Sequence, residues 1–165
     1  MKRQLKKIVC LALITSMILG QKTLKTTKNV TAKEKKDIKI AIDAGHQARG
    51  NFAMEPVGPG SSTRKAKVAG GATGVASHVP EYKLTLAVSK KLQKELKARG
   101  YKVYMIRTKN NVNISNKKRA QLANKSGADI YIRIHADSSN SRAVTGASGL
   151  YPSKANRYVS KLSAK

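Results

Sequence analysis

The sequence predicts an α/β fold in which a largely parallel sheet is covered by helices. Three observations support this prediction. Strand-like runs at 38–43, 101–107 and 129–137 alternate with segments of helical periodicity, the connections are long enough for parallel crossovers, and two of the three runs lead into a histidine. Because parallel crossovers are right-handed, the carboxyl ends of these strands should lie along one edge of the sheet.

Residues 1–32 are predicted to be a leader, and residues 33–165 the folded part of the chain. MKRQLKK is basic, and the thirteen-residue apolar segment IVCLALITSMILG that follows is too short to span a bilayer comfortably. A secretory signal peptide cleaved near Ala32 is predicted, with an uncleaved N-terminal anchor as the alternative. Since Cys10 is the only cysteine and lies in this leader, the exported domain would contain no disulfide.

The first strand is predicted from IKIAID, in which Ile38, Ile40 and Ile42 alternate with other residues and so share one face. The glycine-rich stretch 58–74 follows, and it has neither helical nor strand periodicity. We therefore expect a mobile loop here. Its length within a compact domain suggests a functional lid.

An amphipathic helix is predicted over residues 80–100. Its apolar residues are spaced by four, Pro80 marks its start and Gly100 its end. The apolar stripe expected to face the core consists of Leu84, Val88, Leu92 and Leu96.

The remaining elements are a strand over 101–107, a second helix over 114–127 that Gly127 ends, and a third strand over 129–137. The order along the chain is therefore strand, loop, helix, strand, helix, strand.

A metal site is predicted where the first and third strands end. His46 and His135 follow these strands, and Glu81 lies in the first turn of the first helix, so all three should share one sheet edge. Two histidines and one carboxylate are a ligand set that catalytic Zn²⁺ uses, with a fourth position open. Alternatively, Glu81 only complements the helix dipole. His78 and Glu81 are three positions apart and could both face a metal if the helix began one turn earlier, but Pro80 argues against this.

The chain is strongly basic, with 34 Lys and Arg against 8 Asp and Glu and a net charge of +26. Without the seven basic residues of positions 1–32, 27 basic and 8 acidic residues still give +19. An anionic partner is expected, such as a cell-wall polymer, a membrane surface or nucleic acid. The alternative to an enzyme is thus a non-catalytic basic module that binds anionic wall polymer or nucleic acid. One Phe and six Tyr provide little for base stacking, which argues against single-stranded nucleic acid.

Four segments, IAIDAGH, PEYKLTLAVSKKL, GYKVYMIRT and RAQLANKSGADIYIRIHAD, resemble the zinc-dependent N-acetylmuramoyl-L-alanine amidases whose domain opens with D-x-G-H. The resemblance runs from about residue 38 to about 152, and the loop text GNFAMEPVGPGSSTRKAKVAGGATG is similar to clostridial cell-wall amidases. It implies a twisted sheet flanked by helices, Zn²⁺ held by His46, Glu81 and His135, and cleavage of the amide between muramic acid and L-alanine. It also implies a secreted autolysin at the cell wall, with peptidoglycan and anionic wall polymers as partners. No specific nucleic acid is expected, and membrane contact only through the leader.

The resemblance further implies a catalytic glutamate on a late strand, which we expect beyond residue 165. After Glu95 the only acidic residues are Asp129 and Asp137, and neither lies in a segment similar to that strand. The sheet is thus expected to be incomplete at its C-terminal end, and this chain to be truncated and weak or inactive. Glu55 is predicted to contact substrate; a catalytic base or a free loop carboxylate are the alternatives. Asp137 is predicted either to orient a ligand or to be a turn residue.

Overall fold

The computed structural model describes residues 34–151, so the predicted leader lies outside the described residues. A 3₁₀ turn at Lys35–Asp37 precedes five strands and two helices. In chain order these are β1 (Lys39–Ala44), β2 (Asn51–Pro56), β3 (Arg64–Val68), α1 (Glu81–Ala98), β4 (Lys102–Met105), α2 (Asn116–Lys125) and β5 (Ile130–Ile134). Within residues 34–151 no helix has the length and apolar character needed to cross a membrane.

The main sheet has three parallel strands in the order β4-β1-β5, so β1 is central. Residues 40–44 of β1 are all buried, because the strand has a neighbour on each side and helices pack on it. Ala41 packs with Ile106 and with Ala123 of α2, whereas α1 packs on β1 and β4. The predicted α/β fold with a parallel sheet flanked by helices is therefore confirmed.

The prediction that residues 58–74 form an irregular loop is wrong for part of that stretch. Arg64–Val68 is β3, which pairs antiparallel with β2 and places Glu55 opposite Lys65. Both strands of this hairpin are largely exposed, so neither face requires apolar residues and no alternating pattern arises. The two strands of the hairpin are joined by backbone hydrogen bonds, and these cannot be inferred from the order of apolar and polar side chains.

Helix α1 ends near its predicted limits but turns a different face to the sheet. Leu84 and Val88 of the predicted stripe are 44% and 41% exposed, whereas Thr85 and Ser89 are buried. The Thr85 hydroxyl donates a hydrogen bond to the Gly45 carbonyl at 2.8 Å. The expected stripe is thus corrected in its first half: Leu86 is buried with Thr85 and Ser89, while Leu92 and Leu96 are half-buried as part of the inner face.

Helix α2 begins after Ser115, whose hydroxyl accepts the backbone N–H of Lys118 at 3.1 Å as an N-cap. Strand β5 lies at the edge of the sheet, and its Ile130 and Tyr131 are 46% and 43% exposed. The carboxyl ends of β1 and β5 are neighbours at one edge. Both lead into a predicted ligand.

Candidate metal centre

The three residues predicted as ligands come together at the carboxyl edge of the sheet. His46 follows β1, His135 follows β5, and Glu81 is the first residue of α1. Their potential ligand atoms all lie within 4.8 Å of one another. The Gly45 N–H donates to the Ile134 carbonyl at 2.9 Å, which extends the pairing of β1 and β5 up to the two histidines.

Backbone groups fix the carboxylate of Glu81. Its Oε1 accepts the N–H of Ala136 at 2.8 Å, and its Oε2 accepts the N–H of Ala72 at 2.9 Å. Burial alone would raise the pKa of the Glu81 carboxyl, but these two N–H groups, with His46 and His135, outweigh burial and hold that pKa below its ordinary value. Glu81 is therefore an anion at neutral pH, with one lone pair of each oxygen directed by the backbone.

His46 lies in a left-handed backbone conformation, with φ at 58°. Its Nδ1 is 2.9 Å from the carbonyl oxygen of Ala69, which can only accept, so Nδ1 carries the proton. In the neutral ring Nε2 then carries a lone pair, and the distance from Nε2 to Oε2 of Glu81 is 3.2 Å. Two acceptors at this distance repel each other unless a cation or a proton lies with them. A carbonyl that fixes the second nitrogen of a histidine is common where the first nitrogen binds a metal, so the arrangement makes His46 a candidate ligand.

His135 completes the donor set from the other side. Its Nδ1 is 3.0 Å from Oε1 of Glu81, and its ring meets the His46 ring edge to face, with centroids 4.7 Å apart. Tetrahedral zinc with bonds of about 2.0–2.1 Å separates its ligand atoms by roughly 3.3 Å. Each histidine lies near that spacing from one oxygen of Glu81, at 3.0 Å from Oε1 and 3.2 Å from Oε2. With one ligand atom from each residue within 4.8 Å of the others, the three residues can hold a small divalent metal.

The site is more open beside His135 than beside His46. The side-chain exposure is 35% for His135 and 15% for His46. Arg133 lies at the open side, where its Nε is 3.1 Å from Nε2 of His135.

A buried ion pair supports the turn that carries His46. Arg119 and Asp43 are fully buried, and Nη1 of Arg119 donates to Oδ1 of Asp43 at 2.6 Å. The same guanidinium donates to the carbonyl oxygens of Ala44 and His46, each at 2.9 Å. The sequence indicates Arg119 as a residue for an ion pair or for packing near the site, and the structure identifies its partner as Asp43. The signal for that partner is a carboxylate within an otherwise apolar strand, since such a group needs a compensating charge when buried.

Tyr131 contributes the second partner of Asp43. Its hydroxyl donates to Oδ2 of Asp43 at 2.6 Å. Burial of the hydroxyl, the negative charge of Asp43 and this hydrogen bond together raise the pKa of Tyr131 well above its ordinary value. The residue as a whole is 43% exposed at the sheet edge, and its hydroxyl is the group that is hydrogen-bonded to the buried Asp43.

The segment 69–72, predicted as part of a lid, forms the inner wall of the site. Gly71 has φ at 84°, and a Cβ built on it would lie 2.9 Å from Cγ of His46 and 3.0 Å from Oε2 of Glu81. Only glycine satisfies both the backbone conformation and the space. The carbonyl of Ala69 and the N–H of Ala72 therefore lie against two of the three candidate ligands.

The other predicted site residues lie outside this cluster. Glu55 is 5% exposed on β2, and its Oε1 accepts the N–H of Lys117 at 2.9 Å, in the first turn of α2. It also lines a cavity between the hairpin and α2, so substrate contact stays a prediction. His78 donates its N–H to the Gly74 carbonyl, and within residues 34–151 it is not part of the metal-capable group. Asp137 is exposed, and the group that orients His46 is the Ala69 carbonyl.

Comparison with known proteins identifies related sequences and folds. Residues 40–165 match the protein family described as N-acetylmuramoyl-L-alanine amidase. The structure is similar to N-acetylmuramyl-L-alanine amidases of Mycobacterium smegmatis (TM-score 0.59, 22% identity, 65% of this chain and 50% of that one) and Mycobacterium abscessus (TM-score 0.57, 24% identity, 62% and 49%). An N-acetylmuramoyl-L-alanine amidase from Clostridium difficile 630 is 32% identical over 66% of this chain and 49% of its own, with a TM-score of 0.48. The chain thus spans about half the length of these solved structures. No curated protein gives a significant match.

Proposed function

The chain belongs to the N-acetylmuramoyl-L-alanine amidase family, and from that premise we propose that it is the metal-binding half of a zinc-dependent peptidoglycan hydrolase. The bond cleaved is the amide between N-acetylmuramic acid and L-alanine. The observation that carries the proposal is the convergence of His46, Glu81 and His135, whose ligand atoms lie within 4.8 Å of one another.

Zinc is the metal we assign to these residues. Two histidines and a carboxylate also bind Fe(II) in oxygenases, so the donor set alone leaves two metals. Membership of an amidase family supports zinc, because a metal that assists amide hydrolysis acts as a Lewis acid and undergoes no change of redox state. When bound, Zn²⁺ supplies Lewis acidity that polarises the amide carbonyl and makes a water molecule more acidic.

The residues of the chain have distinct tasks in this proposal. Glu81 provides negative charge held in place by two backbone N–H groups, and the Ala69 carbonyl keeps the proton of His46 on Nδ1. His135 lies at the exposed side, where substrate enters. We assign the proton transfer to a glutamate outside residues 34–151. Glu55 is a poor candidate, because its carboxylate is buried and engaged by the Lys117 N–H.

Elemental analysis of the purified chain tests the metal assignment. We expect one zinc per chain, with zinc lost in His46→Ala, Glu81→Ala and His135→Ala. His78→Ala is the matched control, because it removes the third histidine of the chain and should retain zinc. Full zinc occupancy in both His46→Ala and His135→Ala would overturn the proposal, and stoichiometric iron in the wild type would replace zinc.

Release of amino groups from peptidoglycan tests the reaction. General acid–base catalysis typically contributes about 10²–10⁴-fold. We therefore expect this chain to release little L-alanine amino terminus, and a version extended with the remaining half of the family domain to be faster by about that factor at equal zinc content. Equal rates would show that the base lies within this chain, with Glu55 the first residue to replace.

We also propose that the protein is exported and acts at the cell wall. The support is the leader-like sequence of residues 1–32 and the charge of the remaining chain, whose 27 basic and 8 acidic residues give +19 and favour anionic wall polymers. Cell fractionation tests export. Retention of the full-length protein in the cytoplasm would contradict it.

A further inference from the structure

We infer that Arg107 is a positioning residue, which locks the turn carrying His46 to the first turn of the helix carrying Glu81. The inference deepens the proposed function and rests on it, because its purpose is the spacing of two metal ligands. Arg107 follows β4 and is 2% exposed, so its guanidinium lies inside the protein beside the site and not in it.

The guanidinium contacts both segments at once. Its Nε donates to the Ala44 carbonyl at 2.8 Å, and its Nη2 donates to the Gly45 carbonyl at 2.9 Å. The same Nη2 donates to the carbonyl of Tyr82 at 2.8 Å. Ala44 and Gly45 immediately precede His46, and Tyr82 immediately follows Glu81. One rigid, planar group therefore sets the distance between the backbones of two candidate ligands.

A second link runs parallel to the first. Thr85, one turn further along α1, donates its hydroxyl proton to the Gly45 carbonyl at 2.8 Å, and its Oγ1 lies 3.2 Å from Nη2 of Arg107. On the opposite side, Nη1 of Arg107 donates to Oδ1 of Asn110 at 3.1 Å. The guanidinium is thus held by the loop that follows β4 while it holds the turn and the helix.

The cost of this arrangement argues that it has a use beyond packing. Burial, and the nearby positive charge of Arg119, lower the pKa of Arg107 to about 10, which Asp43 only partly offsets. The group is still cationic at neutral pH, yet the hydrogen bonds described above run to uncharged oxygens. A buried cation without a close carboxylate of its own is expensive, and apolar residues would fill the space at lower cost.

Arg119 provides the matched comparison. It is also buried and also binds the turn, through the carbonyls of Ala44 and His46. Its other partners are Asp43, Gln47 and Ile114, and none of these belongs to α1. Loss of Arg119 should therefore loosen the turn alone, whereas loss of Arg107 should separate the turn from the helix.

The test compares Arg107→Lys, Thr85→Val and the double variant with Arg119→Lys and with Arg99→Lys, an exposed control at the end of α1. Zinc affinity is measured by competition with a chromogenic chelator. Backbone hydrogen exchange is measured on the metal-free chains. Lysine keeps the charge but cannot reach three carbonyls in one plane, so Arg107→Lys should lower zinc affinity by about 10–100-fold.

Hydrogen exchange of the metal-free chains reports on the backbone contacts without any contribution from bound metal. In Arg107→Lys, protection should fall in both 44–47 and 81–85; in Arg119→Lys it should fall in 44–47 alone, and Arg99→Lys should match the wild type. Thr85→Val, the milder change, should lower zinc affinity severalfold, and its effect should not add to that of Arg107→Lys because the two share Gly45.

Different failures are distinguishable. If the wild type binds no metal, the proposed function is wrong, and exchange in the metal-free chain still decides the role of Arg107. If the wild type binds zinc, but Arg107→Lys and Thr85→Val bind it equally well, the positioning inference is wrong while the metal site stands. Loss of protection throughout the chain in Arg107→Lys, with unchanged affinity in Thr85→Val, would reduce Arg107 to a stability residue and also overturn the inference.

Discussion

Replacing Gly71 by alanine should damage the metal site without touching a ligand. Gly71 has φ at 84°, a left-handed conformation that costs an L-residue about 1–2 kcal/mol. The added Cβ would also lie 2.9 Å from Cγ of His46, whereas carbon atoms in contact are ordinarily about 3.5–4.0 Å apart. Relief of that contact needs a movement of about half an ångström or more, either of His46 or of the segment that holds it.

The size of this movement decides the outcome. A metal site tolerates errors of about 0.2 Å in its ligand distances, so a shift of half an ångström exceeds the tolerance. Glu81 is affected as well, because its Oε2 would lie 3.0 Å from the new methyl group. We expect Gly71→Ala to lower zinc affinity at least about 10-fold, the lower end of the effect of replacing groups that support metal ligands.

Two control variants separate the effect of backbone strain from the effect of the contact with His46 and Glu81. Gly70→Ala meets nothing within 4 Å and has no positive φ, so zinc affinity and melting temperature should be unchanged. Gly100→Ala, with φ at 90° and nothing within 4 Å, should lower the melting temperature but not the zinc affinity. Zinc affinity is measured by competition with a chelator, and the melting temperature by thermal unfolding. Wild-type zinc affinity in Gly71→Ala, or an equal loss in Gly100→Ala, would refute the reasoning.

Three further outcomes are expected. Glu55→Ala should lower the free energy of unfolding by about 1–2 kcal/mol, because the Lys117 N–H loses its acceptor at the start of α2; exposed Glu95→Ala is the control, and equal denaturation midpoints would contradict this role. In an alkaline titration followed by ultraviolet absorbance, the folded chain should ionise one tyrosine fewer than the unfolded chain at the same pH, because the pKa of Tyr131 is raised. Tyr131→Phe should abolish this difference. Because the folded pKa of Tyr131 is raised, its stabilising contribution is complete below its ordinary pKa of 10.0 and declines as pH rises above it, so equal stability losses in Tyr131→Phe at all pH values would contradict the assignment. Binding of the chain to purified anionic cell wall should weaken as salt is added, and binding that ignores salt would point to specific glycan or peptide contacts.

The candidate site could be predicted because it follows from topology. His46 and His135 each follow a strand, parallel strands end at one edge, and Glu81 begins the helix that starts at that edge. Each step uses a short-range pattern and a general rule of chain connection. Convergence of residues as far apart as 46 and 135 then needs no knowledge of side-chain packing.

The hairpin and the buried face of α1 could not be predicted from the alternation of apolar and polar residues. That alternation arises only where apolar side chains mark the buried face. β2 and β3 have few buried residues, so their sequence shows no alternation although the backbone is paired. In α1 the apolar residues Leu84 and Val88 are exposed, and the inner positions are taken by Thr85, Leu86 and Ser89. A spacing of four between leucine and valine residues selects the wrong positions here, because two of the three buried residues in this part of the helix are polar.

The network around the ligands is hidden from the sequence for a different reason. Arg119 and Asp43 are 76 positions apart, and most of what surrounds the ligands is backbone: the Ala69 carbonyl, the Ala72 N–H and the Ala136 N–H. Any residue except proline offers the same N–H and C=O groups, so no residue type marks these contacts. The alanines themselves should therefore tolerate replacement by other small residues.

The glycines near the site, unlike the alanines, should not tolerate replacement. Their role also depends on the backbone, but it is visible in the sequence because only glycine lacks a Cβ. Gly45 lies where a Cβ would be 2.6 Å from both Cε1 of His135 and the Ile134 carbonyl oxygen, and Gly71 lies where one would strike His46 and Glu81. The two glycines thus allow the backbone to approach all three candidate ligands more closely than any side chain permits. If the site binds metal as proposed, alanine at either position should weaken binding while leaving every donor atom in the chain.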